Sequence, residues 1–199
     1  MQTSLAEDAV YLPLAECERI VEGLFDAYPK LREHIGIYKQ FILDTGIAVS
    51  MTGRIRVFED VYSEDRGLVS KALRSGYNHL IQPTASDMML TCMAVIEGMM
   101  RQAQLESILV STVHDSIVVD TVLGELPQVH EICMEVINNI PEVLELSWGP
   151  EFNSDWTRII PFTGDAEAGK NYLDLYKISE DPITKKVDWD ALLSKFKHA

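Results

Sequence analysis

The sequence predicts an α+β protein in which an antiparallel sheet built from hairpins packs against several helices. Two observations carry this prediction. Short β-branched runs separated by tight-turn residues, as in 107–121, are typical of hairpins. Longer stretches with apolar residues every three or four positions, as in 66–104, are typical of helices. Because 47% of the 199 residues are hydrophobic, the chain can bury a sizeable core.

The charge and composition of the chain limit its partners and location. The 17 basic and 31 acidic residues give a net charge of −14, which taken alone disfavours nucleic acid or an anionic membrane as a partner. No apolar run reaches membrane-spanning length, and Met1–Asp8 lacks the features of a signal peptide. We therefore predict a cytoplasmic protein without a membrane partner. The scattered Cys17, Cys92 and Cys133 are expected to be reduced core thiols.

The first third of the chain predicts two helices and a hairpin. Pro13 suits the first turn of a helix that ends before Tyr28-Pro29, and a second helix covers roughly 30–43. The β-rich runs 47–51 and 55–58 then bracket a Thr-Gly-Arg turn, and an acidic loop follows. This hairpin carries Arg54 and Arg56 at or near its tip.

The stretch from Arg66 to about Gln104 is helical but contains Pro83. Proline has no N–H and pushes the preceding residue out of the α region. We therefore predict two helices that meet there, the second beginning near Thr84 with Asp87 placed for a capping box. The methionine-rich face of this second helix is expected to fill the core.

Downstream segments are predicted from pattern and composition. They are a helix over 127–139, a strand over 143–148, and a loop-rich remainder from 151 with a short final helix over 189–196. Residues 164–170 match most of the phosphate-loop pattern. Asn171, however, stands where Ser or Thr must bind magnesium, and no apolar strand leads directly into the segment, so we reject that interpretation.

The central hairpin carries a candidate metal site at its tip. Two β-rich runs, 107–113 and 117–121, flank His114, Asp115 and Ser116. A carboxylate on so stiff a base suits a divalent cation, although an acidic turn residue without function is the alternative. A Ser-His-Asp relay is excluded, because adjacent strand residues point to opposite faces.

A polar face on the long helical stretch is a candidate nucleic-acid contact. Arg74, Asn78 and Gln82 follow one another in steps of four, so on a helix they share a face spanning roughly 80°. A basic group with two amides suits a phosphate–sugar edge and the acceptors of the minor groove. The alternative is a solvated polar face.

The order of these features resembles a known family. The chain contains, in sequence, Tyr28-Pro29, Gly53-Arg54-x-Arg56, Arg74-x-x-x-Asn78-x-x-x-Gln82, Thr84-Ala85-x-Asp87 and Val113-His114-Asp115. Over roughly residues 5–156 this resembles the carboxy-terminal fingers and palm portion of family A DNA polymerases, the bacterial polymerase I type.

The resemblance implies a partial polymerase fold with an antiparallel palm sheet. Residues 1–66 would be the rear of the fingers, 67–160 the palm with its motif C hairpin, and 161–199 a loop-rich extension. Asp115 would be a catalytic, metal-binding residue in a site for two Mg²⁺ ions, and His114 would lie beside the primer terminus. The implied DNA contacts are Arg54, Arg56, Arg74, Asn78, Gln82 and His114.

The chain also departs from the family pattern. Motifs A and B, with the second metal-binding aspartate, are not in the sequence; Ser116 stands where most members have glutamate, and Pro83 replaces a glycine. Since the chain begins with Met1, we expect a split bacteriophage polymerase whose second chain carries motifs A and B, acting on primer–template DNA and dNTP. Alternatives are a non-catalytic palm that scaffolds a replication complex, a small acidic protein with chance matches, and a piece excised from a longer enzyme.

Overall fold

A computed structural model describes residues 12–149, 162–181, 184 and 186–197; the expectations for Met1–Asp8 and for the loop at 151–161 lie outside them. The chain divides into two compact units, with the boundary between Thr84 and Ala85.

The described residues form helices and short strands. The helices are α1 (Leu14–Ala27), α2 (Pro29–Thr45), α3 (Arg66–Gln102), α4 (Leu126–Asn138), α5 (Ile140–Trp148) and α6 (Trp189–Lys197). The strands are β1 (Ile47–Val49), β2 (Ile55–Val57), β3 (Ile108–Val113), β4 (Ser116–Asp120), β5 (Ala166–Ala168) and β6 (Tyr176–Ile178). Consecutive strands pair as three antiparallel hairpins, so the predicted α+β class is confirmed.

The first unit fixes its hairpin β1–β2 onto helix α2. Gly46, at φ 70°, ends α2 and donates its N–H to Ile42, a backbone conformation that glycine adopts without strain. The Tyr38 hydroxyl on α2 donates to the Val49 carbonyl at 2.5 Å and accepts the Val49 N–H at 2.8 Å. One side chain thus satisfies both backbone groups at the end of β1.

Helices α2 and α3 pack closely in the first unit. Its core cluster consists of Ile42, Ala48, Phe58, Val61 and Ala72. A Cβ atom at Gly76 on α3 would lie 2.7 Å from the Cδ1 atom of Ile42, which is fully buried. A glycine therefore permits the close approach of the two helices. The predicted acidic loop after the hairpin contains a short 3₁₀ helix at Glu59–Tyr62.

The predicted break at Pro83 is wrong, because α3 runs as one helix from Arg66 to Gln102. A proline inside a helix costs about 3 kcal/mol or more. The next residue, Thr84, is buried and anchors the helix at this point. Its hydroxyl donates to the Leu80 carbonyl at 2.8 Å and accepts the Met51 N–H at 3.2 Å. The bond from Met51 is a tertiary contact that helps to offset the cost of the proline. The sequence pattern around Pro83 gives no sign of this contact.

Beyond the proline, α3 enters the core of the second unit. Met88, Cys92, Ile96 and Met100 are buried at steps of four residues. The expected core role is confirmed for Met88 and Met100, whereas Asp87 lies inside α3 and begins no new helix. All three cysteines are free, and Cys17 and Cys92 are buried. Burial raises the pKa of both Cys92 and Cys133 to about 11, which disfavours the reactive thiolate form.

The second unit covers one face of the β3–β4 hairpin with helices. Its core cluster joins buried residues of α3, α4 and α5, and Leu109, Ile117 and Val119 of the hairpin pack against it. The predicted helix at 127–139 is confirmed as α4. The opposite face of the hairpin has no such cover within the described residues.

The strand predicted over 143–148 is wrong, because this segment forms helix α5. Pro141 occupies the first turn, where its missing N–H costs nothing. Ile140, Val143 and Leu144 are buried at helical spacing, whereas Leu146 is 88% exposed. In a strand, Leu144 and Leu146 would share one face. The alternation seen in the sequence therefore came from two different faces of a short helix.

The carboxy-terminal part is more ordered than the predicted loop-rich extension. It contains the β5–β6 hairpin and α6, the latter as predicted, and Leu192 and Phe196 of α6 form a small cluster with Leu126. Residues 166–168 are a strand, so the rejection of a phosphate loop at 164–170 is confirmed. None of the helices within the described ranges has both the length and the apolar character needed to span a lipid bilayer.

The two leucines of α5 provide a test of its helical assignment. We expect Leu144→Ala to lower the free energy of unfolding by about 2–5 kcal/mol, because it leaves a cavity in the core. Leu146→Ala should change it by less than about 0.5 kcal/mol, because that side chain is exposed. Urea unfolding followed by far-ultraviolet circular dichroism measures both values. Equal losses in the two variants would contradict the helix and favour a strand.

Candidate functional site

The β3–β4 hairpin presents His114 and Asp115 as its two turn residues. Val113 pairs with Ser116, so the turn contains only these two positions, and Ser116 begins β4 rather than belonging to the tip. His114 has φ 56°, a left-handed conformation that costs a residue other than glycine about 1–3 kcal/mol. The paired strands β3 and β4 on either side hold this strained turn in place, and the predicted hairpin is confirmed.

The side chains of the turn are open to solvent. His114 and Asp115 are exposed, and neither makes a hydrogen bond or ion pair within the part of the chain that the structure describes. The Ser116 hydroxyl, by contrast, donates to the Val113 carbonyl at 2.8 Å, and Thr112 Oγ1 donates to the Ser116 carbonyl at 3.0 Å. Asp115 can thus offer both carboxylate oxygens to a ligand, whereas the Ser116 proton is used to close the turn.

A single carboxylate fits only part of a magnesium site. Mg²⁺ is held by one or two carboxylates together with water and substrate phosphates, all near 2.0–2.1 Å in general. Within the described residues, no three His, Cys, Asp or Glu side chains gather as a metal site. Asp115 could therefore supply one ligand of a magnesium site, and the other ligands would have to come from groups that the described residues do not provide.

The base of the hairpin is closed by a charged hydrogen-bond network. The Glu125 carboxylate accepts the Glu106 N–H at 3.0 Å, the Ser107 N–H at 2.9 Å and the Ser107 hydroxyl at 2.6 Å. The Ser107 Oγ in turn accepts the Val122 N–H at 3.0 Å. The Glu106 N–H and the Ser107 hydroxyl hold the pKa of Glu125 below its ordinary value. One carboxylate therefore joins the two ends of the hairpin.

The outer face of the hairpin is apolar and exposed. Ile108, Val110 and Val113 are 55%, 52% and 46% exposed, respectively. A bulge leaves Val110 opposite no residue of β4, because Leu109 pairs with Val119 and Ser111 with Val118. An uncovered apolar face on a two-stranded sheet is typical of a surface that binds another segment.

The predicted polar face on α3 is present in the first unit. Arg74, Asn78 and Gln82 are all exposed, and because the helix is continuous through Gln82 they share one face along about 12 Å. A guanidinium nitrogen of Arg74 donates to the Ser70 hydroxyl at 2.7 Å. The three side chains are therefore brought together as predicted.

The β1–β2 hairpin that carries Arg54 and Arg56 is linked to the same helix through the Arg54 backbone. The Arg54 carbonyl is 3.2 Å from the His79 Nε2 atom, which joins the hairpin to α3 one residue after Asn78. The Arg56 guanidinium lies 4.9 Å from the centre of the Phe58 ring, a cation–π contact. Both arginines are exposed. The first unit thus contains five of the predicted DNA contacts, and the second contains His114 and Asp115.

Sequence reasoning missed two basic residues of the first unit. Lys39 on α2 and Arg66 on α3 line a surface cavity of about 340 Å³ together with Arg74. Arg66 lies two steps of four residues before Arg74 on the same helix, so its spacing could have added it to the predicted polar face. Lys39 is distant in sequence, and only the packing of α2 against α3 brings it to the two arginines. For Lys39, the only signal in the sequence was a positive charge in an acidic chain.

The sequence and the fold are both similar to those of known proteins. Residues 1–174 match the family described as DNA polymerase family A. The chain is 28% identical over 183 residues to a DNA polymerase of Bacillus phage SP01, covering 92% of this chain and 19% of that protein. It is 31% identical over 136 residues to a DNA polymerase of Escherichia phage T5, covering 67% of this chain and 16% of that protein.

Two further relatives extend the comparison to bacterial enzymes. DNA polymerase I of Caldicellulosiruptor bescii is 27% identical over 150 residues, covering 73% of this chain and 18% of that protein. The POL domain of Pol1 from M. smegmatis, solved in complex with DNA primer-template and dNTP, is similar in fold with a TM-score of 0.61 and 21% identity. That similarity covers 68% of this chain and 24% of the solved one. The chain thus spans less than a fifth of the length of these three curated relatives.

The Glu125 network provides a pH-dependent test. Because folding lowers the pKa of Glu125 below its ordinary value of 4.5, its ionised form stabilises the folded chain. This contribution is complete above about pH 4.5 and is lost as the pH falls through the lowered pKa. We expect Glu125→Gln to reduce the free energy of unfolding at pH 7, and this loss should become smaller as the pH is lowered below about 4.5, as measured by urea unfolding at a series of pH values.

Glu106→Gln is the matched control, because it removes one acidic charge from a side chain that makes no hydrogen bond within the described residues. A similar loss in both variants at pH 7 would assign the effect to net charge rather than to the network.

Proposed function

The chain belongs to DNA polymerase family A, and from this membership we propose that it supplies the carboxy-terminal part of a DNA-directed DNA polymerase. In this proposal residues 1–66 form the rear of the fingers, 67–160 the palm, and 161–199 an extension. One observation carries the catalytic part: Asp115 stands exposed on a strained two-residue turn whose hairpin is closed at its base.

The proposed roles follow from the chemistry of each side chain. Asp115 binds a divalent cation through its carboxylate, and His114 lies beside the primer terminus. Magnesium bound there would supply Lewis-acid stabilisation of the charge that develops on the phosphate oxygens during nucleotidyl transfer. The DNA contacts are assigned to His114 and to the exposed residues of the first unit, namely Arg54, Arg56, Arg74, Asn78 and Gln82.

The arginines and the amides have different tasks in this scheme. Guanidinium groups hold backbone phosphates and so position the duplex. The amides of Asn78 and Gln82 can donate to acceptors in the minor groove, which are similar in every base pair. Contacts of this kind suit an enzyme that binds all sequences equally. The arginines also place local positive charge on a chain whose overall charge is −14.

A second chain carrying motifs A and B is proposed to complete the site. One aspartate cannot hold two magnesium ions, so further carboxylates are needed. The exposed apolar residues Ile108, Val110 and Val113 support a partner at the outer face of the hairpin. Leu14 and Leu24 on α1 are also exposed, at 59% and 49%. A polypeptide covering these faces would remove apolar surface from water.

A scaffold without catalysis is the second candidate. It is favoured by Ser116, which stands at the position where the family pattern has glutamate and whose hydroxyl proton is used within the turn. The same apolar face and the same DNA contacts would serve a scaffold equally well. The two functions differ in whether Asp115 is needed for activity.

Substitution of Asp115 separates these candidates. In the assembled enzyme we expect Asp115→Ala and Asp115→Asn to remove nearly all primer extension, because a metal ligand is lost from an exposed position without damage to the core. Ser116→Ala is the control and should cost about tenfold at most, equivalent to about 1.4 kcal/mol in the barrier. Steady-state extension measures all three. Retention of more than about a tenth of the activity in Asp115→Ala would exclude a catalytic metal site at this hairpin.

The proposed assembly has its own test. We expect co-expression with the motif A and B chain to give a complex that survives gel filtration, burying about 2,000 Å² or more. Val110→Lys should weaken it at least tenfold, because it places a charge in the apolar interface. Leu173→Lys, at a site 91% exposed on the carboxy-terminal extension, is the control. A chain that remains monomeric with its partner present would refute the split arrangement.

A further inference from the structure

Three cations share one surface cavity in the first unit. The cavity, of about 340 Å³, is lined by Lys39, Arg66, Val69, Ser70, Leu73 and Arg74. None of these six residues is acidic. Within the described part of the chain, none of the three cations forms an ion pair. In a protein of net charge −14, such a cluster of uncompensated positive charge requires an explanation.

The chemistry of the lining residues suits a phosphate. Like charges gathered in one cavity repel one another, and a bound anion removes that cost. Arg66 and Arg74 offer forked N–H donors, whereas Lys39 offers a point charge. Arg74 already donates to the Ser70 oxygen at 2.7 Å, which leaves the Ser70 hydroxyl proton available to donate to an anion.

The neighbouring carboxylate does not fill this role. Asp65 precedes Arg66 in sequence, but its Oδ1 atom accepts the Gly67 N–H at 2.7 Å and so caps the start of α3. It is not among the residues that line the cavity. Asp65, the acidic residue next to Arg66 in sequence, therefore does not neutralise the three cations of the cavity.

We propose that this cavity holds one backbone phosphate of the nucleic acid, with Lys39 and Arg66 as contacts in addition to Arg74. The inference rests on the proposed function and extends its DNA contacts to helix α2. Arg74 connects the cavity to the polar face, since Asn78 and Gln82 continue the same exposed face for about 12 Å. When the minor-groove edge of a DNA strand contacts the amides of Asn78 and Gln82, the phosphates of that strand come close to the cavity. The cations there position the DNA through its backbone and do not read its sequence.

The test is the salt dependence of DNA binding by the full chain. A fluorescein-labelled primer–template duplex is titrated at about 20–200 mM salt, and binding is followed by fluorescence anisotropy. We expect the double variant Lys39→Gln/Arg66→Gln to raise Kd at least tenfold at the lowest salt. We also expect the slope of log K against log salt to fall by about 1, as for the loss of one phosphate contact.

A charge-matched control separates the cavity from net charge. Lys71→Gln/Arg101→Gln removes two cations from exposed positions of the same helix that do not line the cavity. It should leave both the affinity and the slope close to those of the unsubstituted chain. Equal losses in the two double variants, or none in either, would overturn the proposal. So would an unsubstituted chain that does not bind the duplex at about 20 mM salt.

Inorganic phosphate distinguishes the two sources of the same anion. Its binding is followed through the Arg74 Nε–Hε resonance. If free phosphate occupies the cavity while DNA affinity is unchanged in Lys39→Gln/Arg66→Gln, the backbone proposal is wrong. Such a failure leaves the polymerase proposal intact as long as Asp115→Ala still abolishes primer extension. The converse, lost affinity in the cavity variant with extension that survives Asp115→Ala, would refute the catalytic proposal alone.

Discussion

The position of Asp115 depends on how a two-stranded hairpin is held at its base. An isolated hairpin is at best marginally stable in water, and this one also carries a strained left-handed residue in its turn. Two features compensate. The Glu125 carboxylate joins the start of β3, and through Ser107 the end of β4, in one hydrogen-bond network. The inner face of the hairpin packs on the helical core of the second unit. The Asp115 carboxylate is thus carried on a hairpin that is anchored at the end opposite its turn.

The arrangement of charge in this chain matters more than its total. A net charge of −14 argued against a nucleic-acid partner, yet membership of a DNA polymerase family is clear from the match over residues 1–174. The exposed arginines of the first unit and the cavity lined by three cations are local exceptions to the acidic surface. Because salt at physiological strength screens exposed charges beyond about 8 Å, local groups outweigh distant ones at a contact.

The predicted and observed secondary structures disagree in two places, at Pro83 and over 143–148. Pro83 predicts a helix break, but the buried Thr84, bonded to Leu80 and to Met51, keeps α3 continuous. Over 143–148, apolar and polar residues alternate as in a strand, but six residues are too few to distinguish a period of 2 from a period of 3.6. Pro141 in the first turn is the local signal that favours the observed helix α5. In both places the missing information lies outside the stretch used for the prediction: Met51 bonds to Thr84 from another segment, and Pro141 precedes the alternating residues.

By itself, the sequence determined the α+β class, the helices α1, α2, α4 and α6, the two hairpins at 47–57 and 108–120, and the family. These features depend on local periodicity, turn chemistry and motif order, all of which can be read along the chain. Only the tertiary structure decided the continuity of α3, the Glu125 network and the position of Lys39 in one cavity with Arg66 and Arg74. Each of these depends on contacts between segments distant in sequence, and no local spacing specifies which distant side chains will meet.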